Sequence, residues 1–169
     1  MTLTIRRATA GDIALMQALE RDAAQAFRAV GYDFCADGPV RSVQEHQRGL
    51  DDGASLIADL DGAPAGFILM WPVDGHAHIT EVSVSTQFQK RGIGRALIAA
   101  SESWARDEGH DVITLTTFRD VAWNAPFYRA IGYEVFTPGE NEPDLAAVQA
   151  EEAQSGYAAK PRIAMKKIL

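Results

Sequence analysis

The sequence predicts an α/β (α+β) domain, and three observations carry that reading. Apolar residues recur at three- and four-residue steps from Ile13 to Val30, as on the buried face of a helix. Several short β-type runs follow between residues 55 and 85, punctuated by Asp-Gly pairs. Residues 81–97 then read as the end of a strand, a short polar loop and a helix whose first turn is rich in glycine. With 169 residues, 47% hydrophobic and 23% charged, the chain is expected to form one domain over residues 1–169. A chain of this size buries roughly 70% of its unfolded surface, enough for a core.

Charge and cysteine usage narrow the function classes. Sixteen basic against twenty-three acidic residues give a formal charge of −7, the wrong sign for a nucleic-acid binder. Cys35 is the single cysteine, so no internal disulfide and no cysteine metal cluster can form, and no metal is expected. No signal-peptide pattern and no apolar run of membrane-spanning length is present, so a cytoplasmic protein without membrane or nucleic-acid partners is expected.

Taken in order, residues 3–5 form a short β-type run, and Thr9 with Asp12 resembles a capping box. A helix follows on the stripe Ile13, Met16, Leu19, Ala23, Phe27 and Val30, and Gly31 ends it. A loop passes through Tyr32, Phe34 and Pro39, and a second helix runs from Ser42 to about Leu50. His46, in that polar stretch without a partner at metal-ligand spacing, reads as a solvated surface residue. Residues 55–60 enter a hairpin turn at Asp61-Gly62, and residues 66–71 form a continuous apolar strand closed by Pro72 and Asp74-Gly75. Residues 76–85 form the next strand, with His76, His78, Thr80, Val82 and Val84 on one side and Ile79, Glu81 and Ser83 on the other.

Next, Ile93, Leu97, Ala100 and Trp104 mark a helix that lies on the sheet and ends near Gly109. Residues 111–118 alternate as a strand, completing a strand–helix–strand crossover. Asn124 reads as an N-cap, with Pro126 in the first turn and Gly132 as the stop. Residues 133–136 form a short strand, residues 144–152 a short helix, and residues 162–168 a final strand.

The glycine-rich junction carries the chemistry. Gly92 and Gly94 flank Ile93, with Lys90, Arg91 and Arg95 close by. Glycines let a ligand approach the main chain, and a helix N-terminus offers unpaired N–H groups with a partial positive charge. Such a loop suits a phosphate or pyrophosphate. It lacks the Lys-Ser/Thr pair of a P-loop, and Leu97 stands where the dinucleotide fingerprint needs a third glycine.

The stretch Gln89-Lys-Arg-Gly-Ile-Gly94 does resemble the Q/R-x-x-G-x-G/A acyl-CoA signature of the GNAT superfamily of N-acyltransferases, and the strand ending at Val84 is similar to that family's fourth strand. The resemblance implies a mixed, mostly antiparallel sheet of about six to seven strands flanked by helices on both faces. It implies acetyl-CoA as co-substrate, held by Val82, Ser83, Val84, Gln89, Lys90, Arg91, Gly92, Ile93, Gly94 and Arg95, with a distortion of the fourth strand that admits the pantetheine arm. Backbone N–H groups near Val82 and Val84 would polarise the thioester.

On the same resemblance the reaction is direct transfer of an acetyl group to a primary amine. Its base is His78, eleven residues before Gln89, or Glu81, eight before it, with His78 slightly ahead. Tyr128, four residues before Gly132-Tyr133, matches the family's general acid. The family's common Asn lies seven residues before that Tyr, where this chain has Val121; Asn124 is a substitute contact for CoA. Phe27, Tyr32 and Phe34 are candidates for the acceptor cleft, and Glu140, Glu142 and Asp144 read as a solvated acidic loop. The competing readings are a non-catalytic acyl-CoA sensor and an acyltransferase acting on protein or peptide amines. A homodimer is the expected assembly.

Overall fold

The computed structural model describes residues 1–154 and 160–169. Its elements run β1 (Leu3–Arg7), α1 (Ile13–Ala24), α2 (Asp33–Ala36), α3 (Val43–Asp52), β2 (Ala54–Leu60), β3 (Ala63–Val73), β4 (His76–Val84), α4 (Ile93–Asp107), β5 (Val112–Phe118), α5 (Ala125–Ala130), β6 (Glu134–Phe136), α6 (Pro143–Gln154) and β7 (Arg162–Ile168). The strands form a seven-stranded mixed sheet in the order β1-β2-β3-β4-β5-β7-β6. Among the described residues, no helix is long and apolar enough to cross a membrane. The chain divides into two compact units, residues 1–71 with 80–104 and residues 72–79 with 105–169.

In the first unit β1 lies antiparallel to β2, with Leu3 opposite Leu60, and β2 lies antiparallel to β3. Arg6 ties this edge together: Nε donates to Asp59 Oδ2 at 2.9 Å and Nη2 to Asp12 Oδ1 at 3.0 Å. The Arg6 hydrogen bond, followed by the Thr9 N–H, holds the Asp12 carboxyl down to about 2. The Thr9 N–H donates to Asp12 Oδ2 at 2.8 Å, the expected capping interaction. It opens a 3₁₀ turn (Ala10–Asp12) ahead of α1.

Ile13, Met16 and Leu19 are buried on α1, as their spacing requires. The stripe then fails. Residues Gln25–Val30 tighten into a 3₁₀ helix, whose three-residue turn rotates a 3.6-residue stripe off the core, leaving Phe27 half-buried and Val30 exposed. The chain stops at Gly31 as expected, but the following loop contains α2. Asp61 and Gly62 both sit at positive φ, 50° and 82°, as a two-residue hairpin of type I′ needs. Pro72 does not close β3. It lies beyond Met70, the last β3 residue opposite β2, where no β2 partner requires its missing N–H. β3 is buried from Ala65 to Trp71, which explains its unbroken apolar run.

His46 is a correction. The sequence placed it in solvent, but it is 0% exposed, on the face of α3 that packs on the sheet, with its ring 5.6 Å from that of Phe67. Local polarity misled, because Gln44, Gln47 and Arg48 lie on the other faces of the same helix. Neither ring nitrogen has a hydrogen-bond partner among the described residues. Burial therefore pushes its pKa down, Glu45 opposing weakly.

The second unit is built on β5. β4 enters it in parallel, Ala77 opposite Ile113 and His78 opposite Thr114. β7 lies antiparallel to β5 along its full length, Val112 opposite Ile168 and Phe118 opposite Arg162, and β6 pairs with the other edge of β7. The last strand in sequence thus sits between β5 and β6. Asp74, in the turn before β4, accepts from the N–H groups of Asp144 and Leu145 at 3.0 and 2.8 Å, satisfying the first turn of α6. The Thr116 hydroxyl donates to Glu152 at 2.8 Å, fastening α6 to the sheet.

A buried, unpartnered imidazole should make this fold acid-sensitive. The unfolded chain takes up the His46 proton near pH 6.5 while the folded chain resists it, so stability is full above that value and declines as pH falls below it. Urea unfolding of His46→Leu should show about 1 kcal/mol more stability at pH 7, since a buried unsatisfied polar group is removed. It should also show a weaker loss between pH 6.5 and 5.

Candidate active site

The junction after β4 is braced from three sides so that its main chain faces outward. Asp22 of α1 accepts from the Thr86 N–H at 2.8 Å and the Thr86 hydroxyl at 3.1 Å. Burial pushes the Asp22 carboxyl up, but hydrogen bonds from Ser85 and Thr86 outweigh it and the net shift is downward. Gln89 Nε2 donates to the Val84 carbonyl at 3.1 Å, closing the loop on the strand it left. At Gly66, a Cβ would come within 2.6 Å of the Ser83 carbonyl, so only glycine lets β3 pass this close to the end of β4.

Lys90 and Gly92 then take positive φ, 60° and 80°, and a Cβ at Gly92 would meet nothing within 4 Å. The Ala96 N–H bonds to the Gly92 carbonyl at 3.0 Å, which starts the helical ladder. The N–H groups of the turn before it have no helical acceptor. Lys90, Arg91 and Arg95 are exposed, and none has an ion-pair partner among the described residues; Arg91 lies over the Phe88 ring at 5.8 Å. Open main chain, helix N-terminus and three cations fit a diphosphate. Ile93 is buried and anchors the helix beneath them. Gln89, the first residue of the signature, also braces the loop through its side chain.

Close to this loop in sequence, Glu81 belongs to a charged cluster that the sequence reading missed. The Ser83 hydroxyl donates to Glu81 Oε1 at 2.9 Å, placing the two on one side of β4 as predicted. Arg41 Nε lies 3.8 Å from Glu81 Oε2, its Nη1 donates to Glu45 at 2.9 Å and its Nη2 to the Thr80 carbonyl at 3.2 Å. Glu20 of α1 is buried and accepts the Arg41 N–H on both carboxylate oxygens at 3.0 Å. Burial, then the Glu81 charge, pushes the Glu20 carboxyl up to about 8, against the Arg41 backbone hydrogen bond. The one legible signal for Glu20 was its place four residues after Met16, on the apolar stripe of α1.

The second unit holds the other predicted groups. His78 is 5% exposed, and its Nδ1 lies 2.9 Å from the Thr114 hydroxyl oxygen. Tyr128 is buried on α5, its ring packed edge-on against Phe127 at 5.2 Å and Tyr133 at 5.6 Å. Asn124 occupies the N-cap position of α5, yet its side chain makes no cap. Oδ1 turns back to accept from the Thr117 hydroxyl at 2.7 Å and the Phe118 N–H at 3.4 Å, so it ties α5 to β5. Val121 is buried.

The three predicted acceptor-side aromatics do come together. Tyr32 is buried and lies 6.1 Å from Phe27 and 5.6 Å from Phe34, the latter pair stacked, and Phe34 is 38% exposed. Arg28 pairs with Asp33 and Asp37 and closes the turn that carries them. Glu140 and Asp144 are exposed, and Glu142 accepts from the Gly139 N–H at 3.0 Å. Residues 155–159, between α6 and β7, lie outside the described residues.

Two measurements check this geometry. Gly92→Ala places a Cβ at positive φ and should weaken coenzyme A binding by about tenfold in calorimetry. Gly94→Ala, whose Cβ would meet only Val84 Cγ2 at 3.9 Å, should bind like the wild type. The raised Glu20 value means that its contribution to stability is full below about pH 4.5 and is lost as pH rises through about 8. Glu20→Gln should therefore flatten the decline in urea-unfolding stability between pH 5 and 8.

Comparison with known proteins agrees with the loop's chemistry. Residues 16–133 match the model of the acetyltransferase (GNAT) family. The aminoglycoside N(6')-acetyltransferase type 1 of Stenotrophomonas maltophilia is 29% identical over 141 residues, covering 78% of this chain and 86% of that protein. Among solved structures, the PaiA N-acetyltransferase of Thermoplasma acidophilum in complex with coenzyme A superposes with a TM-score of 0.71 at 16% identity, covering 100% of both chains. The N-acetylglutamate synthase of Neisseria gonorrhoeae, complexed with coenzyme A and N-acetyl-glutamate, gives a TM-score of 0.74 at 17% identity; all of this chain matches, but only 35% of that one. With more than half its length matched to the family and a phosphate-type loop where the family's signature falls, the chain belongs to the GNAT acetyltransferases and is an acyl-CoA-dependent N-acetyltransferase.

Proposed function

We propose that the chain transfers an acetyl group from acetyl-CoA to a primary amine on a small cationic molecule. One observation carries the donor half of this reading: the outward-facing turn at residues 90–92, backed by the start of α4 and three cations without an ion-pair partner among the described residues. The main-chain N–H groups there bind the diphosphate, and those of Val82 and Val84 hold the pantetheine arm and polarise the thioester oxygen. Residues 1–169 act as one catalytic domain.

Glu81 takes the base role in this reading, ahead of His78. Its carboxylate is half-buried, oriented by Ser83 and set beside Arg41, whereas the His78 ring is buried against Thr114. The acceptor nitrogen loses its proton to Glu81, directly or through one water, and attacks the thioester carbonyl. The carbon–sulfur bond breaks as the amide forms. Tyr128, assigned from its place before Gly132-Tyr133, gives its proton to the departing thiolate and is restored by solvent.

The acceptor class rests on two supports. The relative that matches 78% of the chain is named for acetylating an aminoglycoside, and Glu81 and Glu45 are partly exposed acidic groups in one charged cluster. A polycationic amine is drawn to such a surface. Peptide amines are the alternative acceptors.

A panel of aminoglycosides, simple diamines and peptides, followed by thiol release, tests this reading. Aminoglycosides should turn over fastest. Glu81→Gln should lower kcat by about 100-fold or more with coenzyme A binding intact. Tyr128→Phe should also lower kcat. If His78→Gln loses that activity and Glu81→Gln keeps it, the base is His78.

A further inference from the structure

We infer that Arg41 is a positioning residue for the transfer reaction: clamped at its main chain by α1, it uses its guanidinium to hold Glu81 and the β4 backbone at Thr80 in the orientation that catalysis needs. The inference rests on the assignment of Glu81 as the base and goes beyond it, because Arg41 itself touches neither reacting atom.

The clamp is visible on both sides of the residue. Gln17 Nε2 donates to the Arg41 carbonyl at 2.9 Å, and Glu20 accepts the Arg41 N–H at 3.0 Å. Gln17 and Glu20 are three residues apart on α1 and so project from the same face. One helix therefore fixes both polar groups of one residue's main chain. Burying the Glu20 carboxyl is costly unless it is hydrogen-bonded, and the Arg41 N–H supplies that bond.

From that fixed point the side chain spreads to two hydrogen-bond acceptors and one ion-pair partner. Nη1 reaches Glu45 at 2.9 Å, Nη2 the Thr80 carbonyl at 3.2 Å, and Nε lies 3.8 Å from Glu81. Glu45 is itself fixed, since its Oε2 accepts from the Ser42 N–H at 2.8 Å in the capping box of α3. The planar fork thus has one anchored carboxylate on one arm and strand backbone on the other. Glu81 is held at the third position, beside the residue whose carbonyl is held too. The groups that face Glu81 are Arg41 from the segment before α3, Glu20 from α1, and Ser83 from β4 itself, while Glu45 of α3 faces Arg41.

Arg41→Gln keeps hydrogen-bonding capacity and removes the charge. Its kcat should fall by about tenfold while the dissociation constant for acetyl-CoA stays at the wild-type value. Arg41→Lys retains the charge without the fork, so kcat should be only partly recovered.

Glu45→Gln can still accept the Ser42 N–H but weakens the anchored arm of the fork. It should lower kcat as well, with the acetyl-CoA dissociation constant unchanged, and this second variant decides the matter if Arg41→Gln does not fold. Wild-type kcat in both variants, while Glu81→Gln is inactive, would overturn the inference and leave the base assignment standing. Full activity in Glu81→Gln would overturn that assignment, and the inference with it.

Discussion

The proposed binding of coenzyme A depends on one constraint: the turn after β4 must leave the first amides of α4 without protein acceptors. Unpaired main-chain N–H groups are tolerable only at a surface or against a ligand. A loop free to collapse would pair them internally. Three contacts prevent that collapse: Asp22 on the Thr86 amide, Gln89 on the Val84 carbonyl, and the close pass of Gly66 beneath Ser83. Positive φ at Lys90 and Gly92 then turns the main chain outward. The binding loop is therefore held by contacts distributed over α1, β3 and β4.

The same helix serves the acidic cluster. Gln17, Glu20 and Asp22 of α1 each hold main-chain groups elsewhere in the first unit: Arg41 for the first two and Thr86 for the third. Isolated buried charge is unfavourable, and hydrogen bonds to backbone amides are what make it tolerable. Glu20 is the extreme case, buried deeply enough that its carboxyl titrates near neutrality or above. Polar residues of α1 thus set the positions of groups some twenty to sixty residues further on, while its apolar face, Ile13, Met16 and Leu19, fills the core.

Much of the fold was legible because local patterns and burial agree in it. The Asp61-Gly62 and Asp74-Gly75 turns, the continuous run of β3, the helix after Gly92 and the final strand at residues 162–168 all follow from turn chemistry or periodicity. Where the reading missed, a tertiary contact had overridden a local signal. His46 lies in a polar stretch but faces Phe67; Asn124 has the chemistry of a cap but spends its oxygen on Thr117 and Phe118; residues Gln25–Val30 keep an apolar step but wind too tightly to bury it.

The amino-acid order alone determined the glycine-rich loop, the strand that delivers it and the preference for a phosphate group, since these are written in contiguous residues whose backbone freedom and charge act locally; acyl-CoA followed from the resemblance of residues 89–94 to the GNAT signature. Only the tertiary structure decided which distant side chains join Glu81, because Glu20, Arg41 and Glu45 lie on separate segments and meet through packing. It also placed β7 between β5 and β6, since strand order is set by which edges pair after collapse and leaves no trace in the spacing of residues.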